Sequence, residues 1–485
     1  MTMTHLEAPL RKAALHRLFW RVHFWAGLVG APIVLFAALT GLVYVFTPQI
    51  EARCHADLDR VAVGAAVRPL DQQVAAAQAA HPDEALRFVV PAHRPGDSTQ
   101  VYLRAAHEHH AHAGRGEHDH GLPTGSIVYV NPHTGQVLGR LQEMQRFKTW
   151  ARKLHANALQ GNGWRWLLEL GASWLLVLFA TGLTLWWPRS RARGGPGWRA
   201  LLPAPGRGRR RWRDLHATVA IVLGLVLSIV LVTGLTWARH SGHNFRLAQD
   251  ALGQSAPKPG KDLRSTVIEG QAPIGWQRAH ELASAVAPDV SIQLTPPDGP
   301  DGTWRAENFD RSQPTNRFTQ VIDAYSGRLL FNSGWDQLPL LSQATAVGIP
   351  FHRGEFGLWN QLLLVLAALA VVFSVVSGFV MWWLRRPPGQ WAVPRLVADD
   401  VRLAPRWVWP VAALLGWALP VFGWSLMVLT ALEACRLLAM RRTAAAGGEG
   451  VLSPAAPPAS GLRPPRRQPR RRWNDRHRAA GSGPR

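Results

Sequence analysis

Long apolar stretches alternate with long polar segments along this chain, and the apolar stretches predict helices that cross a membrane. Each is longer than about 18 residues, which is enough to span the hydrocarbon core of a bilayer. The stretches cover residues 24–46, 165–187, 216–238, 358–383 and 407–439. Polar segments of about a hundred residues, 47–154 and 239–351, separate the first stretch from the second and the third from the fourth. The pattern predicts an α-helical transmembrane bundle that carries two extramembrane domains.

In each half of the chain, two histidines lie at or shortly before the start of an apolar stretch, and each of them is followed by a motif in which a hydroxyl residue precedes glycine. In chain order, the histidines and the hydroxyl residues are His23 and Thr40, His155 and Thr181, His216 and Thr233, and His352 and Ser377. The separations are 17, 26, 17 and 25 residues. This predicts an internal two-fold repeat of span, outer domain and span. Small residues let helices approach closely, which explains the glycine motifs but not the histidines.

The polar segments repeat as well. Residues 128–138 and 321–329 align, and each reads as a strand, a tight turn at Gly135 or Gly327, and a second strand. We therefore expect an α+β fold for both extramembrane domains.

The net charge of +23 comes from basic residues that flank the apolar stretches. A charge of this size also suits nucleic-acid binding, but the linker 188–213 and the N-terminus hold the arginines where membrane proteins carry them. By the positive-inside rule both segments are cytoplasmic. The chain is then a multi-pass protein of the bacterial inner membrane that contacts lipid and no nucleic acid, with its two polar domains in the periplasm.

The predicted organisation follows from these boundaries. It comprises a cytoplasmic N-terminus (1–23), a first span (24–47), a first periplasmic domain (48–154), a second span (155–187), a basic linker (188–215), a third span (216–238), a second periplasmic domain (239–351), a fourth span (352–384), a linker (385–406), a C-terminal hydrophobic segment (407–440) and a disordered basic tail (441–485). Pro420 divides the C-terminal segment, which is either a single span or a hairpin of two short helices.

The four histidines predict two metal centres. Spans that run in the same direction place His23 with His216 at the inner face and His155 with His352 at the outer face. Imidazole is a good ligand for iron, and ionisable residues near a bilayer often mark a functional site. The alternative is a side chain that merely reaches the interface. His16, two helical turns before His23, is a second candidate for the inner ligand.

Other polar residues near the spans have two interpretations each. Arginines that flank the outer histidines have two interpretations. Either they bind the propionates of a haem whose iron the histidines hold, or they simply lie at the interface. They are Arg146, Arg152, Arg165 and Arg353. Glu169, inside the second span, is either functional or paired with Arg165.

A histidine-rich tract in the first outer domain has no counterpart in the second half. Its histidines are His107, His109, His110, His112, His118 and His120. Such tracts bind transition metals in flexible loops. The tract is therefore either a periplasmic metal-collecting loop or a solvated insertion.

Several of these motifs resemble the PepSY-associated transmembrane helix family of iron-regulated membrane proteins. The resemblance rests on residues 21–28, 181–189, 212–216 and 351–357 together with the two outer hairpins, which look like PepSY domains. The family includes ferric-siderophore reductases with two b-type haems, and the resemblance implies the same cofactors here. No Cys-x-x-Cys-His motif is present, so these haems are held without covalent attachment.

The sequence thus predicts a di-haem oxidoreductase that passes electrons across the membrane to a periplasmic ferric substrate, such as a ferric siderophore, for iron uptake. A separate reductase or a quinol is the expected electron donor. Two rival hypotheses remain. One is a PepSY-domain metal sensor or peptidase-modulating protein without redox activity, and the other is an accessory protein of metal transport.

Overall fold

The computed structural model describes residues 7–105, 122–192, 202–203, 206–390, 394, 400–401 and 403–448. The histidine-rich tract 107–120 and most of the predicted tail lie outside these residues. The helices are α1 (Glu7–Val45), α2 (Thr47–Cys54), α3 (Ala56–Asp59), α4 (Leu70–Ala80), α5 (Phe147–Asn157), α6 (Arg165–Ala192), α7 (Arg209–Val222), α8 (Gly224–Leu235), α9 (Ser241–Ala251), α10 (Trp276–Val286), α11 (Leu340–Arg353), α12 (Leu358–Trp383), α13 (Val408–Ala418) and α14 (Pro420–Gly448).

Three of the described helices, α1, α6 and α12, are long and apolar enough to cross a membrane. Helices α7 and α8 pass the same test together but are bent by 57° at a break beside Gly224, so they form a fourth span if the pair crosses as one. Helix α1 packs against α6 and α12, and α7 packs against α12. Val34 and Ala38 of α1 meet Val371 of α12 in the buried centre of this bundle.

The second and fourth spans begin later than the sequence predicted. Residues 155–187 and 352–384 are each interrupted, because α5 ends at Asn157 and α11 ends at Arg353. Left-handed backbone at Ala158 (φ 52°) and Gly354 (φ 74°) turns the chain before α6 and α12 start. His155 and His352 therefore lie on short helices that precede the spans.

The C-terminal hydrophobic segment breaks at Pro420, where α13 gives way to α14. Proline has no N–H to donate and its ring disfavours helix at the preceding residue. The described residues from 428 to 448 belong to a second compact unit. Within this unit the helix continues to Gly448, which is beyond the predicted start of the disordered tail at residue 441.

The two polar segments join in one eight-stranded antiparallel sheet. Its strands are β1 (Glu84–Val90), β2 (Thr99–Ala105), β3 (Ser126–Val130), β4 (Val137–Gln142), β5 (Ile292–Thr295), β6 (Thr303–Asn308), β7 (Phe318–Asp323) and β8 (Leu329–Gly334). The order β4-β3-β2-β1-β5-β6-β7-β8 places the first strand of each segment at the centre. Val89 pairs with Leu294 across this junction, and both side chains are fully buried.

Alternating side chains give the sheet two buried faces. Val101 and Leu103 face the larger core, which α4 and α10 cover, whereas Tyr102 between them belongs to a smaller cluster on the other face. This is the two-residue period of a strand. Strand β3 is buried at every position, as expected for a strand that is covered on both sides.

Both predicted hairpins are confirmed, with β3 paired to β4 and β7 paired to β8. In the second, Asp323 accepts backbone hydrogen bonds from Tyr325 and Ser326 within the turn and from Thr266 outside it. Burial of Asp323 raises the pKa of its carboxyl, but these hydrogen bonds outweigh the effect of burial and lower the pKa to about 2. Gly327 supplies the left-handed residue of the turn (φ 69°).

Candidate functional site

Each of the four repeated histidines meets the hydroxyl of one of the four repeated motifs. The Nδ1–Oγ distances are 3.1 Å for His23 and Thr181, 2.9 Å for His155 and Thr40, 2.8 Å for His216 and Ser377, and 3.4 Å for His352 and Thr233. Every histidine thus bonds the other motif of its own half, not the motif that follows it in the sequence.

The hydrogen-bond partners determine which ring nitrogen carries the proton. Thr40 and Thr181 donate their hydroxyl hydrogens to the carbonyls of Phe36 and Val177, four residues earlier, at 2.7 Å each. Their oxygens can then only accept from the histidine Nδ1–H. His352 Nδ1 also lies 2.8 Å from the carbonyl oxygen of Val230, which cannot donate. Protonated Nδ1 leaves the Nε2 lone pair available to a metal.

His23 and His216 face each other at the end of the bundle opposite the sheet. Their ring centroids are 6.3 Å apart and their ring planes are nearly perpendicular, at 82°. An ion bound by two imidazole nitrogens at about 2 Å each holds the centroids roughly 6 Å apart. The observed spacing therefore fits one iron between the two rings.

A cavity of about 330 Å³ surrounds this pair and is lined mainly by apolar side chains of α1, α6, α7, α8 and α12. Its size falls in the range of cofactor sites. Arg209, Arg213 and Arg385 also line it. Arg213 pairs with Asp214 at 2.8 Å, whereas Arg385 covers the Trp20 ring at 4.4 Å. An apolar cavity with two histidines and arginines suits a haem, whose macrocycle is apolar and whose propionates are anionic.

His155 and His352 form the second pair, at the sheet end of the bundle. They lie near the ends of α5 and α11 and are close enough for their charges to interact. Glycine makes room for the rings. A Cβ added at Gly234 would lie 2.8 Å from His352 Cε1, and one at Gly182 would lie 3.2 Å from His23 Cε1. The hydroxyl–glycine motifs therefore position the histidines in addition to allowing close helix packing.

Of the two alternative metal sites, only His16 falls within the described residues. His16 is exposed and is not among the residues that line the cavity of His23 and His216. The tract with His107, His109, His110, His112, His118 and His120 lies outside the described residues. Within the described ranges, no group of three or more histidines, cysteines or carboxylates could hold a metal ion.

Arg146 and Arg165, two of the four predicted propionate arginines, bond protein groups. Arg146 pairs with Glu51 at 2.5 Å and with Asp59 at 2.8 Å, and it also donates to the Tyr129 hydroxyl. Burial lowers the pKa of Arg146, but these partners outweigh it and raise the pKa above its usual value. Arg165 donates to the backbone carbonyl of Trp237.

Arg152 and Arg353 remain beside the second histidine pair. Arg152 lies three residues before His155 on α5, and Arg353 directly follows His352 on α11. Arg353 donates to the Tyr44 hydroxyl at 3.2 Å and pairs with Glu355 at 2.6 Å.

Glu169 has a structural partner that the sequence did not reveal. Its carboxylate is 2% exposed and accepts the backbone N–H groups of His240 at 3.1 Å and Ser241 at 2.7 Å. These donors lie at the start of α9, where backbone N–H groups lack partners within the helix. Glu169 therefore caps α9, and Arg165 lies near enough to interact with it electrostatically.

Sequence reasoning missed two sets of site residues. The hydroxyls of Thr40, Thr181, Thr233 and Ser377 orient the histidines, and their repetition was the available signal. Arg209 and Arg385 at the first cavity were hidden among many basic residues that flank the spans.

The fold and the site define a multi-pass membrane protein in which paired histidines lie at both ends of a helical bundle. The sequence matches the PepSY-associated TM region family over residues 20–385. The chain belongs to this family. No protein of curated function matches it.

Proposed function

We propose that this protein is a di-haem b oxidoreductase of the bacterial inner membrane that reduces ferric iron in the periplasm, with a ferric siderophore as substrate. The observation that carries the proposal is the His23–His216 pair, with centroids 6.3 Å apart in an apolar cavity. His155 and His352 would hold the second haem in the same way. Haem supplies one-electron chemistry, and the protein supplies placement and surroundings.

The two pairs suit a path across the bilayer. His23 and Thr40, the partner of His155, lie 17 residues apart on α1, a rise of about 26 Å. The hydrocarbon core is about 30 Å thick, so the pairs would lie near its two faces. In each, the hydroxyl would hold the Nδ1 hydrogen and leave Nε2 free to bind the iron.

The reaction transfers one electron for each ferric ion reduced to ferrous. A cytoplasmic reductase or a quinol would supply the electron at the His23–His216 end, and the ferric chelate would accept it at the His155–His352 end. Ferrous iron is a softer acid than ferric iron, so hard oxygen ligands hold it less tightly and release it for uptake.

A haem assay of the purified protein tests the proposal. Protein from haem-replete cells should yield two haems per chain in the pyridine haemochrome assay and a bis-histidine absorption spectrum. Addition of a ferric chelate to the chemically reduced protein should reoxidise both haems. Colourless protein would rule out the redox function and leave the sensor and transport hypotheses.

The orientation is tested separately. Cys54 is exposed and lies between α1 and the sheet. If the sheet is periplasmic, a membrane-impermeant thiol reagent should label Cys54 in intact spheroplasts of a Cys435→Ser variant. Labelling only after lysis would place the sheet in the cytoplasm and reverse the direction of the proposed path.

A further inference from the structure

Glu355 links the two helices that carry the second histidine pair. It lies in the turn between α11 and α12, and its Oε1 atom is 2.6 Å from the Arg353 guanidinium and 3.5 Å from the Lys148 ammonium. Arg353 directly follows His352 on α11, whereas Lys148 lies on α5, seven residues before His155. One carboxylate oxygen thus connects helices from the two halves of the chain. We call this link the Glu355 clamp.

The two linked helices have different packing neighbours. Helix α5 packs mainly against α1 and α2, whereas α11 packs mainly against α8 and the 3-10 turn Pro314–Asn316. A haem iron with two axial histidines binds each nitrogen at about 2 Å, so the two helices must keep one separation. Because their neighbours differ, a direct connection between them is the simplest way to set that separation.

Contacts with α1 complete the link. Arg353 donates from Nε to the Tyr44 hydroxyl at 3.2 Å. Tyr44 lies four residues after Thr40, whose hydroxyl oxygen is 2.9 Å from His155 Nδ1. Residues four apart share one face of a helix. The contacts of both histidine-bearing helices therefore converge on the same face of α1.

Glu51 of α2 holds the start of α5. Its Oε1 atom accepts the backbone N–H of Lys148 at 2.9 Å, and its Oε2 atom pairs with Arg146 at 2.5 Å. Glu51 is buried, and α2 begins two residues after α1 ends. The backbone of Lys148 is thus anchored while its ammonium group reaches Glu355, so that a shift of α5 is passed on to α11.

The arrangement of Glu355 favours geometry over stability. Its side chain is only 12% exposed, and its Oε2 atom is buried without a hydrogen-bond partner among the described residues. Removal of charges from water offsets much of their mutual attraction, so a buried ion pair is weak evidence for stability. A fixed separation between α5 and α11 is what the two contacts of Oε1 provide.

We propose that Glu355 is a positioning residue for the haem at the sheet end. The Glu355 clamp holds α5 and α11 at the separation at which His155 and His352 bind one iron. The inference rests on the proposed di-haem function and adds to it a residue outside the ligands and their hydroxyl partners. Glu355 acts through Lys148 and Arg353, not on the iron itself.

Spin-label distances in the haem-free, full-length protein in nanodiscs test the clamp without any cofactor. Trp150→Cys on α5 and Val347→Cys on α11 carry the labels, in a chain whose native cysteines are replaced with serine. Both labelled positions are exposed. The wild type should give a narrow distance distribution. Glu355→Gln should broaden it, because glutamine keeps the shape of glutamate but loses the charge that holds both cations.

Glu84→Gln is the matched control. Glu84 pairs with Arg140 on the sheet, and its side chain is 17% exposed, close to the value for Glu355. Its loss also removes one partly buried ion pair, but one that involves neither α5 nor α11. The distance distribution and the haem content of Glu84→Gln should therefore match those of the wild type.

Haem retention is the second measurement. Glu355→Gln and Lys148→Gln should each lose the haem at the sheet end to apomyoglobin about tenfold more readily, since residues that orient metal ligands have effects of this size. The other haem should be unaffected. Lys148 is half exposed, so Lys148→Gln tests the clamp even if Glu355→Gln does not fold. Lys148→Arg keeps the ion pair and should behave as the wild type does, which a general loss of stability would not explain.

Three results would overturn the inference. They are unchanged distances in both glutamine variants of the clamp, loss of the haem with unchanged distances, and broadened distances with full haem retention. Equal haem loss from Glu84→Gln would also overturn it, because the effect would then be general destabilisation.

The outcomes separate the clamp from the proposed function. Wild-type protein that holds two haems, with distances that do not depend on Glu355, would refute the clamp alone. Protein that stays colourless after addition of haemin would refute the reductase proposal and the role of Glu355 in positioning haem. The distances in the haem-free protein would then show whether Glu355 still links α5 and α11.

Discussion

His352 donates its Nδ1 hydrogen to the carbonyl oxygen of Val230 at a distance of 2.8 Å. A carbonyl can only accept, so the tautomer of this ring is fixed and its Nε2 is a free ligand. The other three histidines reach the same state through hydroxyls. Hydrogen bonds of this kind make a metal-binding histidine more basic and orient its ring, and the first prediction follows from that role.

Replacing Thr181 with valine should weaken haem binding at the His23–His216 pair by about 10- to 100-fold, because His23 loses the acceptor that orients it. Valine keeps the shape of threonine, so packing is preserved. The measurement is haem retention during competition with apomyoglobin. Thr184→Val is the control, since the Thr184 hydroxyl bonds the carbonyl of Thr181 on its own helix. Equal haem loss from both variants would point to general helix damage.

Single histidine substitutions should remove one haem at a time. His155→Ala and His352→Ala should each abolish the haem at the sheet end and leave the other, and His23→Ala and His216→Ala should do the reverse. Low-temperature spectra and haem counts distinguish the two components. Either loss should stop electron delivery to the ferric substrate, since the two steps lie in series.

Two results would contradict the pairing. If His155→Ala and His23→Ala remove the same spectral component, the assignment of one pair to each end is wrong. If His16→Ala removes the haem opposite the sheet and His23→Ala does not, the ligand on α1 lies two turns nearer the N-terminus.

Replacing Gly234 with alanine should disturb the second pair. The added Cβ would lie 2.8 Å from His352 Cε1 and 3.4 Å from Nδ1, so the ring must move. Overpacking of this kind costs about 1–3 kcal/mol of the free energy of unfolding, and the haem at the sheet end should be depleted. At Gly30 of α1 no atom lies within 4 Å of an added Cβ. Gly30→Ala should therefore keep full haem content in the same assay.

His133 should make the sheet domain sensitive to pH. Its Nδ1 lies 2.8 Å from the carbonyl of Ala66 and its Nε2 lies 3.0 Å from the carbonyl of Pro95. Both contacts are hydrogen bonds only when both nitrogens are protonated. The carbonyls of Pro95 and Ala66, in that order, raise the pKa of His133 above its usual value.

Because the folded pKa is raised, this stabilisation is fully present below the unfolded pKa of about 6.5 and is lost as pH rises through the folded value. Hydrogen exchange of residues 60–68 and 91–97, corrected for the intrinsic rate, should therefore accelerate more than expected as the solution becomes alkaline. His133→Gln should remove the extra pH dependence. If the exchange rates of the wild type already depend on pH in the same way as those of this variant, His133 does not make segments 60–68 and 91–97 sensitive to pH.

The sequence by itself determined the local features of this protein. Apolar length predicted the spans, because a bilayer demands helices of a minimum length wherever they occur. The hairpins at Gly135 and Gly327 followed from turn chemistry, which acts over a few residues. Spacing also singled out the four histidines, although it associated His23 with Thr40 rather than with its hydrogen-bond partner Thr181.

Only the tertiary structure decided which distant residues meet. The Val89–Leu294 pairing joins segments about two hundred residues apart, and no local pattern specifies which two strand edges will pair. The break between α5 and α6 depends on left-handed backbone at Ala158, a conformation that alanine does not favour by itself. The contact of His23 with Thr181 likewise depends on how the helices pack. Packing brings together residues whose separation along the chain carries no information about their distance in space.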